Sequence, residues 1–206
     1  MVLNYEELKG WQTAIGSLLG FMALMTGALW NFHLNRKRDA ALRREEMLSV
    51  AAALYGEILL LRKEVARISL STARVFVAVG TQPNPSVKFD EHFLEAQTLP
   101  DPIVYKALAP KLGLLPADMV VAITGFHSNF QSVISRLPLL LPKKDRGYTH
   151  TVLNVLVPAR DAVKEIIPTL RQIEAMLSIP QAAGIPDLGQ TDFAIEMEEE
   201  TFSHTE

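Results

Sequence analysis

Apolar residues are laid out along this chain in two ways. From Gly10 to Asn35 they run without interruption by charge: GWQTAIGSLLGFMALMTGALWNFHLN holds no Asp, Glu, Lys or Arg over 26 residues. Further on they recur at helical spacing. Leu54, Ile58, Leu61, Val65 and Ile68 step by 4, 3, 4 and 3, which puts them on one face of a helix. The first pattern predicts a membrane-spanning helix, because a bilayer core takes about 20 apolar residues at 1.5 Å rise each. Trp11 and Trp30 lie near its two ends, 19 residues apart, or about 28 Å of helix, which suits aromatic belts at both interfaces. The second pattern predicts helices packed around a core.

From Arg36 to about Val79 the chain is rich in helix formers and free of proline, so a long helix is expected after the span and continuous with it. Glu45, Glu46, Arg62, Lys63, Glu64 and Arg67 fit its polar side. Gly80 and TQPNPS end it. Residues 87–99 read as either a short helix or a loop packing Phe89, Phe93 and Leu94. Asp101-Pro102 predicts a helix start, with the aspartate accepting from free N–H groups and Ile103, Val104, Ala107 and Leu108 as its apolar side. Pro116 opens the next helix, whose seam is Val120, Ile123, Phe130, Ile134 and Leu137, widened by Phe126 and Val133. A last helix is expected from about Thr149 to Ser178, with Val163, Ile166, Ile167, Leu170, Ile173 and Leu177 on one face and a kink or break near Val157 caused by Pro158 and Pro168. Pro180 is expected to close the domain. The expected fold class is all-α: an N-terminal transmembrane helix, a long helix and an antiparallel helical bundle. The expected division is 1–9 outside, 10–35 spanning, 36–180 a cytoplasmic bundle and 181–206 a disordered acidic tail.

Charge sets the orientation. Glu6, Glu7 and Lys9 precede the span, and Arg36, Lys37, Arg38, Arg43 and Arg44 come after it with only Asp39 opposed. Basic flanks stay cytoplasmic, so the N-terminus is expected outside and the C-terminal domain inside. A cleaved signal peptide would have a basic start and a shorter apolar core, so the segment is expected to be a retained anchor. The formal charge of −3 conceals an asymmetry. Seven acids and no Lys or Arg lie between Asp187 and Glu206, leaving 20 basic residues against 16 acidic ones elsewhere. Low hydrophobicity with excess charge predicts disorder in that tail, with Ile185, Leu188, Phe193, Ile195 and Phe202 as a docking motif within it. The basic cluster beside the bilayer reads as attraction to anionic headgroups, about 1 kcal/mol per residue. No groove-reading or stacking motif accompanies it, and no nucleic-acid partner is expected.

Gly16, Gly20, Ala23 and Gly27 form a small face on the span, beginning as G-x-x-x-G. Such faces allow close helix approach in lipid, so a protein partner or homo-oligomer through the span is expected, although glycine is also simply common in membrane helices. The chain has no cysteine, which excludes disulfides, thiolate zinc sites and cysteine nucleophiles. Of the five histidines, His33 falls at the membrane interface. His92 has Asp90, Glu91 and Glu95 near it, but helical facing leaves only His92 and Glu95 together. His127 lies on the apolar seam, as either a hydrogen-bonded core-edge histidine or a pH sensor titrating near neutrality. His150 and His204 read as loop and tail. Lys143, Lys144 and Arg146 form a basic turn able to hold a phosphate. No Walker, dinucleotide, nucleophile-elbow or H-E-x-x-H motif is present. No catalytic residue, cofactor or metal is expected.

The stretch YEELKGWQTAIGSLLGFMALMTGALWNFHLNRKR (Tyr5 to Arg38) resembles the N-terminal anchor of a group of uncharacterised proteobacterial single-pass membrane proteins. VYKALAPKLGLLPADMVVAITGFHSNF (Val104 to Phe130) is similar to their downstream segment. The resemblance implies a bacterial inner-membrane location and brings no activity, cofactor or site residue. The layout is also similar to that of the ATP synthase b subunit, but the proline-marked apolar helices depart from an extended stalk. Three functional classes fit the chain: a membrane-anchored helical interaction or scaffold protein, a one-span regulator transmitting a change into the bundle, and a membrane-tethered enzyme.

Overall fold

A computed structural model describes residues 5–82, 85–141, 151–181 and 184–203. All regular structure among them is helical, and no strand is present. The α-helices are α1 (Tyr5–Thr81), α2 (Glu91–Glu95), α3 (Ile103–Leu108), α4 (Ala117–Arg136), α5 (Leu153–Glu165), α6 (Ile167–Leu177) and α7 (Gly189–Ser203), with 3-10 turns at Ala109–Leu114 and Leu137–Leu140. The chain divides into two compact units, Met1–Glu46 and Met47–Glu206.

The first unit contributes helix whose described apolar side chains, among them Trp11 at 69% exposure and Trp30 at 67%, all face outward. α1 is the one helix, among the described residues, long and apolar enough to cross a membrane.

The second unit carries the core. Leu54, Ile58, Leu61, Val65 and Ile68 are fully buried or nearly so, as their spacing requires. Each such side chain contributes about 1.5–3 kcal/mol. α4 packs along α5 and touches α6, and α5 also packs on α7. α4 buries Met119, Ile123, Phe126, His127, Phe130 and Val133. Its inward face is therefore turned slightly from the expected seam, and Val120 and Ile134 sit half-buried at its edges.

One open alternative is resolved and three local expectations are corrected. Residues 87–99 contain a five-residue helix, α2, capped by Asp90 Oδ1, which accepts from Phe93 N–H at 2.9 Å. Asp101 does not cap α3. That role falls to Glu57 of α1, whose carboxylate accepts from Val104 N–H (2.6 Å) and Tyr105 N–H (2.8 Å), so the orphan donors of the first turn are met by a tertiary contact. α3 buries no residue fully, and Ile103 points outward. The break in the last long helix comes at Ile166, before Pro168, while Pro158 stays inside α5. Pro168 has no N–H to offer the Lys164 carbonyl four residues back, which ends α5 there, and it suits the opening turn of α6.

The largest correction is at the C-terminus. The segment expected to be a disordered tail contains α7, and the domain does not close at Pro180. Leu188, Thr191, Ala194 and Ile195 are buried, a stripe at steps of 3 and 4 that composition alone hides. Gly189 N–H donates to Asp187 Oδ1 at 2.9 Å, and Asp192 sits in the favourable first turn. Across the seam the Ser69 and Thr191 hydroxyls share a buried 2.7 Å hydrogen bond, and Lys164 pairs with Asp192 at 3.0 Å.

Candidate functional site

The small face of the N-terminal apolar stretch stands open. A Cβ added at Gly16, Gly20 or Gly27 would meet nothing within 4 Å, and Ala23 is exposed. Thr26 on the same helix donates its hydroxyl to the Met22 carbonyl at 2.7 Å, so that polar group is satisfied without water. Arg36, Lys37, Arg38, Arg43 and Arg44 are all exposed, and Arg36 lies 5.6 Å above the Phe32 ring, within cation–π range. These residues make an exposed surface, small and apolar along the helix and basic at its end.

His127 lies in the core at 6% exposure. Its ring stacks on Tyr105, centroids 3.7 Å apart, and meets Phe126 edge-on at 5.2 Å. Neither ring nitrogen has a hydrogen-bond partner among the described residues. The hydrogen bond that a core-edge histidine would make is thus not supplied by the described residues. Burial among apolar groups lowers its pKa to about 4, since desolvation disfavours the imidazolium. The ring is neutral at physiological pH and titrates well below the neutrality a pH sensor would need.

Arg62 departs most from expectation. Its spacing fits the polar side of its helix, yet it is only 2% exposed. Its Nε donates to the Val163 carbonyl at 3.0 Å and an Nη to the Gly184 carbonyl at 3.2 Å, while the other Nη has no partner among the described residues. Burial lowers its pKa, and the neighbouring Arg171 charge adds to this. Val163 lies in the last turn of α5, where carbonyls lack intrahelical donors and the helix dipole favours a cation. Arg62 therefore ties α1 to the α5–α6 break and to the loop leading to α7. Nearby in sequence, Tyr55 donates to buried Glu174 at 2.6 Å, and Arg171 donates to the other oxygen of that carboxylate at 2.8 Å. These groups hold helices together; their donors and acceptors point at one another.

The cluster around His92 stays at the surface. Asp90, Glu91, His92 and Glu95 share a shallow depression, and Asp90 is engaged as the cap of α2. Among the described residues no group of three or more His or acidic side chains is placed to hold a metal. Lys143, Lys144, Arg146, His150 and His204 lie outside the described residues. Sequence reasoning missed Glu57, Arg62 and Glu174. For two of them a signal existed: Arg62 is four residues after Ile58 and Glu174 four after Leu170, so each occupies a buried helical stripe. No protein family, curated protein or solved structure matches this chain.

Proposed function

We propose that this protein is a single-span membrane-anchored interaction or scaffold protein, with residues 47–203 working as a helical bundle on the cytoplasmic side of a bacterial inner membrane. The observation that carries the reading is the exposure of the apolar run. Ile15, Leu18, Leu19, Phe21, Met22, Leu24, Leu29 and Trp30 are all exposed in a chain whose other apolar seams are well buried. Soluble monomers rarely expose a contiguous apolar patch beyond a few hundred Å², and a run of this length matches a bilayer core. The basic residues after it support the inward orientation. The open face at Gly16, Gly20, Ala23 and Gly27 supports association with a second copy or a partner span.

The test joins topology to partnership. The chain should resist alkaline extraction from membranes, and reporter fusions should place the N-terminus outside and Ser203 inside. In-membrane crosslinking should then capture either a second copy or a partner protein. Extraction by alkali, or a chain that crosslinks to nothing, would overturn the respective halves of the proposal.

A second reading, a one-span regulator, is favoured by α1 itself, since no residue between Asn35 and Met47 leaves helical conformation. One residue inserted there would rotate the remainder of the helix by about 100°. The regulator reading requires that insertion to change the pattern of crosslinked partners, and a plain tether does not.

A further inference from the structure

The seam between the C-terminal turns of α1 and helix α7 holds an open-sided cavity of about 360 Å³. It is lined by Val77, Ala78 and Thr81 of α1, Gln82 just after it and Phe193 of α7, with Arg74 and Gln190 at the rim. Phe193 is 54% exposed, although Leu188, Ala194 and Ile195 of the same segment are buried. It is thus an aromatic residue of α7 left uncovered after the helix has docked. Next to the cavity a Cβ at Gly80 would touch the Met197 methyl at 3.5 Å, so the two helices are already in contact there and the walls are fixed by packing. The volume is at the low end of the roughly 300–1,000 Å³ typical of ligand sites.

The charge at the rim sets the ligand class. Arg74 donates from Nε to Gln190 Oε1 at 3.0 Å. That partner is neutral, and among the described residues no carboxylate pairs with this guanidinium. The bond orients the fork and leaves its Nη donors for another acceptor. A guanidinium matches a carboxylate bidentately, and an apolar wall with one cation at its mouth suits an amphiphile with one anionic end. We propose that this cavity binds an apolar-chain oxyanion, with the carboxylate or phosphate head on Arg74 and the chain against Val77, Ala78 and Phe193. Because α7 supplies one wall, binding would also fasten that helix. The same chemistry is offered by a free fatty acid and by an anionic lipid drawn from the bilayer.

The experiment uses the full chain in zwitterionic phosphatidylcholine nanodiscs, reading amide hydrogen exchange of α7 and of α1 near residues 73–82. One arm adds decanoate, with decanol and decylamine as controls. The other adds no solute and dopes the nanodisc with phosphatidic acid. Several-fold slower exchange with decanoate, absent with decanol and decylamine and lost in Arg74→Gln, supports a free carboxylate. Slower exchange in the doped disc alone, again lost in Arg74→Gln, supports a lipid source. Arg74 is exposed, so its substitution leaves the core intact. Ala78→Phe, which fills the cavity, should abolish the response while exchange in α4 stays unchanged. Protection that survives Arg74→Gln, equal protection by decanol, or no protection in either arm overturns the proposal.

Discussion

Helix α1 carries two apolar stretches that differ in pattern more than in composition. From Trp11 to Leu34 apolar and small residues occupy every side, and all the described side chains there are exposed. From Val50 to Val75 a one-sided stripe is buried, among it Ala51, Leu54, Ile58, Val65 and Ala73 at 0% exposure, while Leu60 on the other side is 57% exposed. A one-sided stripe calls for another helix to cover it, whereas a helix apolar all round calls for a medium. One helix thus carries two apolar patterns, and periodicity tells them apart.

The largest effects come from reversing the two patterns. Ile58→Ala should remove about 2–5 kcal/mol from unfolding of the second unit, the usual cost of emptying a packed core position. Leu24→Ala should leave that transition unchanged. In the other direction, Leu24→Arg should cost about 3 kcal/mol of membrane insertion, visible as chain lost from the membrane fraction, without shifting the denaturation midpoint of the folded unit. If Leu24→Arg instead lowered that midpoint, the first stretch would be part of a protein core.

Next come the polar residues placed inside the second stretch and the helices around it. Arg62→Ala should destabilise by roughly 3 kcal/mol, because it strips donors from two carbonyls and empties the space of a long side chain. Arg62→Met keeps the stem and removes a costly buried charge, so it should cost less than half as much by chemical denaturation. If methionine is as damaging as alanine, the hydrogen bonds to Val163 and Gly184 dominate.

His127 should make the fold sensitive to acid. Its pKa is about 4 in the folded chain and about 6.5 when unfolded. Between these values the unfolded chain binds the extra proton, so stability rises with pH through that window and falls on acidification. Above pH 6.5 the ring is neutral in both states and contributes no slope. The full excursion is roughly 3 kcal/mol. His127→Phe should remove that part of the slope, because phenylalanine has nothing to titrate. It should also raise stability near neutral pH, since two unpartnered buried nitrogens disappear. Parallel pH profiles for the two proteins would show that the imidazole is hydrated in the fold.

The helical class, the exposed apolar run and the main seam were legible because each rests on spacing or continuity within one segment. Leu54 to Ile68 needed no knowledge of the partner that covers them. What escaped depends on residues far apart in sequence. Glu57 caps α3 across 47 residues, and no local rule connects them. The helix break lies at Ile166 rather than Val157 because a proline's effect depends on which carbonyls can go without a donor. α7 was hidden by its acids: Glu196, Glu198, Glu199 and Glu200 dominate the composition, while the docking face is carried by only a few residues around Leu188, Ala194 and Ile195. At the candidate sites, the position of His127 on a seam was readable, but its lack of partners was not. The cavity beside Arg74 exists only because α7 folds back onto the end of α1.

The smallest effect tests that docking. Ser69 and Thr191 share their hydrogen bond in a place where both are fully buried. Ser69→Ala alone leaves the threonine hydroxyl without a partner, and Thr191→Val alone does the same to the serine, so each should cost about 1–3 kcal/mol. The double variant removes both polar groups and leaves an apolar contact of similar shape, so it should recover most of that loss. The coupling between the two substitutions, measured as a double-mutant cycle, is therefore expected to be favourable and close in size to the sum of the two single losses. Strict additivity would mean that the two hydroxyls find water when separated. In that case α7 would be held chiefly by Leu188, Ala194 and Ile195, and the buried polar pair would contribute little to selecting where the helix docks.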